Sequence, residues 1–65
     1  MRIQVNGEER EVVATTLATL LRELDYEGQT VATAVNQNFV RAVDRGEMQL
    51  AAGDSVEILV PKQGG

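Results

Sequence analysis

The chain has no cysteine and no histidine. That double absence removes disulfides, zinc fingers, iron–sulfur clusters and thiol nucleophiles together. It also removes the usual general base, the side chain that titrates near neutral pH. Aromatic residues are nearly missing: Tyr26 and Phe39 stand alone, tryptophan is absent, and Pro61 is the single proline. No apolar run approaches the roughly 20 residues of a membrane-spanning helix, and the first residues lack the charged-then-apolar pattern of a secretory signal. These absences predict a cytosolic protein with no membrane partner. Cations are scarce as well, six Lys and Arg against ten Asp and Glu, for a formal charge of −4. A phosphate backbone is held by clustered Lys and Arg, so nucleic acid is an unfitting partner and a basic protein surface a fitting one.

What is present is small and aliphatic. Sixty-five residues hold one domain. A chain of this size buries only about 60% of its unfolded surface, so nearly every aliphatic side chain is needed for a core. Met1 to Val5 alternates and ends at Asn6-Gly7, the dipeptide that best fits a two-residue hairpin turn. The return strand is expected over Glu8 to Val13, and its charges mark a solvated face near a sheet edge. The period then changes. Leu17, Leu20, Leu21 and Leu24 form one apolar stripe at helical spacing, predicting a helix from about Thr16 to Tyr26. Thr15 or Thr16 is placed to cap it, no Glu or Gln completes a capping box, and Gly28 is the expected left-handed stop.

Val31 to Asn36 reads as a strand, Asn36 to Asn38 as a turn, and Phe39 to Arg41 as a short strand after it. Residues 42–53 form an irregular connection with room for one helical turn. The clearest late strand is Asp54 to Val60, with Val56, Ile58 and Val60 on one face and Glu57 and Leu59 on the other. Pro61 lacks an amide hydrogen and should end its ladder. One helix cannot cover both faces of a sheet, so the fold class is α+β with the Leu stripe against one face. The domain is expected over residues 1–60, with 61–65 as a flexible tail.

Side-chain catalysis finds no support. Ser55, Tyr26 and the threonines have no histidine or buried lysine to activate them. Asp44 and Glu47 are too sparse a pair for a calcium loop. The backbone remains, above all its last residues, Gly64-Gly65. Glycine at roughly 7% of residues ends a chain as a pair about once in 200 sequences. Without a side chain such a tail can thread a narrow tunnel. A terminal carboxylate presented there can attack the α-phosphate of ATP, and a sulfur or nitrogen nucleophile can open the acyl-adenylate. The domain would then be a substrate, with no catalytic residue of its own and no metal.

Several segments together resemble the ThiS family of sulfur carriers: Ile3-Gln-Val-Asn-Gly7, the Thr-Leu-x-x-Leu-Leu helix, Ala34-Val-Asn-Gln-Asn-Phe-Val40, Leu50-Ala-Ala-Gly-Asp-Ser-Val-Glu-Ile-Leu-Val-Pro61 and Gly64-Gly65. The resemblance implies a ubiquitin-like β-grasp fold, a mixed sheet of four to five strands with the first and last parallel at its centre. It implies that Gly65 is adenylated by a ThiF-type enzyme and converted to a thiocarboxylate, with sulfur from a cysteine desulfurase or another donor. Thiazole synthase (ThiG) would take that sulfur into the thiazole of thiamine, and Gly64 would be the flexible neighbour. No cofactor would be bound to this chain; ATP, zinc and the sulfur donor belong to the partner enzymes. The molybdopterin-pathway MoaD-type carriers resemble it next, sharing Val35-Asn-Gln37 and the Gly-Gly end. A ubiquitin-like protein modifier and a plain β-grasp binding module are the further readings. Arg41-Ala42 departs from the Pro-Arg common in the family, and Pro61-Lys-Gln63 is unusually polar. The partner surface is expected to comprise Phe39, Leu59, Val60 and Pro61, with Lys62 facing an acidic partner group. Of Phe39 and Val40, alternation lets only one point outward.

Overall fold

Two turns of the same kind organise the sheet. In the computed structural model, which describes residues 1–61, β1 (Arg2–Val5) and β2 (Glu8–Glu11) are joined across Asn6 (φ 52°) and Gly7 (φ 83°). β3 (Ala32–Val35) and β4 (Asn38–Val40) are joined across Asn36 (φ 50°) and Gln37 (φ 71°). Left-handed backbone at both central positions matches the twist of the flanking strands, which is why such turns close hairpins. β5 (Ser55–Leu59) runs parallel to β1 and antiparallel to β3, giving the order β2-β1-β5-β3-β4. This is the expected β-grasp sheet, with the first and last strands side by side inside it.

One helix, α1 (Leu17–Glu23), lies on one sheet face. Leu17, Leu20 and Leu21 bury there against Ile3, Val5, Val35, Val56 and Ile58. Each such side chain, fully removed from water, contributes roughly 1.5–3 kcal/mol. The helix begins as the threonines suggest, but its capping box is completed by Thr19 rather than by an acid or amide. The Thr16 hydroxyl accepts from the Thr19 amide, and the Thr19 hydroxyl accepts from the Thr16 amide. The amides of Leu17 and Ala18 donate to the carbonyls of Met48 and Arg45. Every donor of the first turn is thereby satisfied.

The helix is shorter than the periodicity predicts, and Gly28 is not its stop. Asp25 takes the left-handed conformation (φ 66°), its amide donates to Arg22 O, and the Tyr26 amide donates to Leu21 O. Those two bonds make a Schellman ending, with Tyr26 folded back onto the core. Gly28, also left-handed, belongs to the following turn. β2 likewise stops at Glu11 instead of reaching Val13. The amides of Val13 and Ala14 turn to the carboxylate of Glu23, at 2.8–3.2 Å, instead of to a strand. The connection after β4 holds one 3-10 turn, Ala42–Asp44, as its composition allows. β5 ends at Leu59, so Val60 lies beyond the ladder, half-exposed, and does not continue the buried row of Val56 and Ile58.

Candidate functional site

Alternation along three adjacent strands sorts the sheet into two unlike faces. Thr33, Val35, Val40, Val56 and Ile58 point to the helix and are buried. Ala32, Ala34, Phe39, Glu57 and Leu59 therefore point to solvent. Register brings these outer residues together: Phe39 lies opposite Ala34, Ala34 opposite Glu57, and Ala32 opposite Leu59. The two alanines leave a shallow depression of about 110 Å³ between the taller side chains of Phe39 and Leu59. Phe39 is 70% exposed and Leu59 66%. Exposed aromatic and aliphatic side chains gathered on one face mark an interaction surface more than a fold requirement.

The choice left open by alternation is thus made: Val40 closes the core and Phe39 faces out. Val60 is 52% exposed, and Pro61, also exposed, is the last described residue. Lys62, Gly64 and Gly65 lie outside the described residues. Phe39 and Leu59 share the outer face of the sheet, and Val60 and Pro61 follow Leu59 along the chain.

The electrostatic setting is mild. Glu57 is the acid beside the apolar depression. Asp44 accepts from Arg41 Nε at 2.9 Å, and that hydrogen bond raises the guanidinium's pKa further. Among the described residues no group of three acidic side chains is close enough to hold a metal ion. A second depression, about 270 Å³, lies between the end of α1 and the 3-10 turn and includes Leu21, Arg22, Tyr26 and Arg45. Its two guanidiniums already have partners: Arg22 pairs with Glu27, and Arg45 donates to Thr33 Oγ1 and Val31 O.

Two asparagines have a role beyond the turns they were read as. Asn6 Nδ2 donates to Ile58 O at 3.1 Å and its Oδ1 accepts from Ile58 N at 2.8 Å, as a strand residue's backbone would. Asn36 Oδ1 accepts from Ser55 N at 3.0 Å, and its Nδ2 donates to Asp54 Oδ1 at 3.1 Å. Both hairpins therefore grip β5 by a turn side chain, which holds the strand that leads into the tail. The repeated Val-Asn before each turn is the one sequence signal that could have found this pair.

A family model described as the ThiS family matches residues 3–65. The chain belongs to the ThiS family. Among the solved structures similar to it are two of a thiamine biosynthesis protein from Geobacter metallireducens. The crystal structure is named ThiS; it is 25% identical, with a TM-score of 0.85 and all of both chains covered. The solution structure is also 25% identical, with a TM-score of 0.80, covering all of this chain and 88% of that one. Among curated proteins none matches. The ThiS match takes in both the Phe39–Leu59 face and the terminal glycines.

Proposed function

We propose that this ThiS-family chain is a sulfur carrier of thiamine biosynthesis that acts as a protein co-substrate. The Gly65 carboxylate attacks the α-phosphate of ATP in the active site of a ThiF-type enzyme, and pyrophosphate leaves. A sulfur nucleophile, derived from cysteine by a desulfurase or another donor, then attacks the acyl carbon of the adenylate. AMP departs; where the nucleophile is a persulfide, a second thiol of the donor then cleaves the resulting acyl disulfide, leaving the thiocarboxylate on Gly65 and a disulfide on the donor. Thiazole synthase takes up that sulfur. Phe39, Leu59, Val60 and Pro61 form the folded surface that partners recognise, Lys62 meets an acidic partner group, and Gly64 lets Gly65 enter each active site.

The observation that carries this reading is the ThiS match through Gly64-Gly65. It is supported by the exposed apolar side chains Phe39 and Leu59 on the outer face of the sheet, the latter closing β5. The test is incubation with ATP, a ThiF-type enzyme and a sulfur donor, followed by intact mass measurement. Replacement of one oxygen by sulfur at Gly65 is expected. Equal conversion of a chain lacking Gly64 and Gly65 would overturn the proposal, as would stable isopeptide conjugates to other proteins with no thiocarboxylate.

A further inference from the structure

Thr33 is the one buried polar residue among those described, 2% exposed in a core otherwise aliphatic. Its hydroxyl donates to the carbonyl of Val40, the last residue of β4, at 2.9 Å. The same oxygen accepts from Arg45 Nε at 3.0 Å, while Arg45 Nη2 donates to Val31 O at 2.6 Å. The segment from Val40 to Arg45 is therefore a closed loop pinned at both ends to a single buried oxygen. The backbone of Arg45 is fixed in turn, since its carbonyl accepts from the Ala18 amide at the start of α1.

β4 needs such a restraint. It has three residues, pairs with β3 alone, and follows a turn whose second residue, Gln37, sits at φ 71° without being glycine. Register is set by the buried face of a strand, which in β4 is Val40 alone, and a slip of one residue exchanges the two faces. In β4 that slip would turn Phe39 toward the core and Val40 to solvent. A buried polar group held by a part-buried partner, as Thr33 is by Arg45, has its best-attested use in fixing one arrangement among several.

We propose that Thr33 and Arg45 are positioning residues for the docking face: by tying the end of β4 to the helix side of the sheet, they hold Phe39 outward on the opposite side. This rests on the reading of that face as the surface recognised by the ATP-dependent activating partner. Thr33 is buried on the helix side of the sheet and Arg45 bonds to it there, so they act on the docking face through Val40 and its neighbour.

The test compares Thr33→Val and Arg45→Met with the conservative variants Thr33→Ser and Arg45→Lys, at a temperature where circular dichroism shows all of them folded. Thr33→Val and Arg45→Met should raise the KM for the carrier in adenylate formation about fivefold, the population shift that loss of one buried hydrogen bond permits, with kcat unchanged. Thr33→Ser should restore the parental KM, and Arg45→Lys should restore part of it. In NMR spectra of the free protein, the contact between the Phe39 ring and the Ala34 methyl should weaken in Thr33→Val and persist in Thr33→Ser. A lowered melting temperature with KM and the Phe39–Ala34 contact unchanged would overturn the proposal. If the unaltered chain is not adenylated at all, the carrier reading falls, and the NMR comparison still decides whether the pair positions Phe39.

Discussion

The β1–β2 and β3–β4 hairpins sit at opposite edges of one sheet, are closed by the same kind of turn, and present opposite outer surfaces. On β1–β2 the outer positions are Arg2, Gln4, Glu9 and Glu11, with Arg2 near both carboxylates at 3.6–4.0 Å. On β3–β4 they are Ala32, Ala34 and Phe39. Turn geometry fixes which residues face out, and composition alone decides what that face can do. The charged hairpin resists association with another sheet edge. The apolar one, next to β5 and its exit, is available to a partner.

The comparison can be broken first at the asparagines. Asn6 makes two part-buried bonds to Ile58, so Asn6→Ala should cost about 2–3 kcal/mol in urea unfolding. The bonds of Asn36 are exposed, and Asn36→Ala should cost about 1 kcal/mol. Equal losses would mean that the two turns grip β5 alike. Next come the faces themselves. Leu59→Glu should raise the KM for adenylation about tenfold, equivalent to ~1.4 kcal/mol, with little change in the unfolding midpoint. Glu9→Lys on the charged hairpin should leave it unaltered; a comparable loss there would place recognition on both edges.

The turns then sharpen the contrast. Gln37→Gly should stabilise by about 1 kcal/mol by relieving left-handed strain, while Gly7→Ala should destabilise by a similar amount, both read by thermal unfolding. The smallest effect concerns Glu11, whose pKa is lowered from 4.5 by a hydrogen bond from the Met1 ammonium, then by that charge and by Arg2. A carboxylate with a lowered folded pKa contributes stability above its unfolded pKa and loses it as pH falls through the folded one. Glu11→Gln should therefore lower stability slightly at neutral pH, with the difference from the parent vanishing as pH falls well below 4.5, so that the acid limb is flatter.

Features written in short range were legible. Asn6-Gly7 announces its hairpin, the leucine stripe its helix, and the alternation of Val56 to Leu59 both faces of β5, so Leu59 was placed outward from sequence alone. Phe39 was legible only as one of two candidates, because adjacent residues alternate without saying which is inside. The turn at Gln37 carries no signal of its own: Gln is not a left-handed residue by preference, and burial of Val35 and Val40 on either side imposes the conformation. The helix begins where the threonines place it, with Thr19 completing the box in place of Glu or Gln, whereas Asp25 and not Gly28 ends it. The bonds of Asn6 to Ile58 and of Arg45 to Thr33 join residues far apart in the chain, and no local pattern encodes such pairs.

The central position of β5 also bears on how the protein is made. A ribosome delivers both hairpins and α1 well before residues 55–59, yet β5 is the strand that joins β1 to β3. α1 has seven residues and draws on carbonyls of Arg45 and Met48 to start, too short a segment to persist alone. Nascent chains stalled before Ser55 should therefore remain protease-sensitive, and protection should arrive in one step once β5 has cleared the exit tunnel.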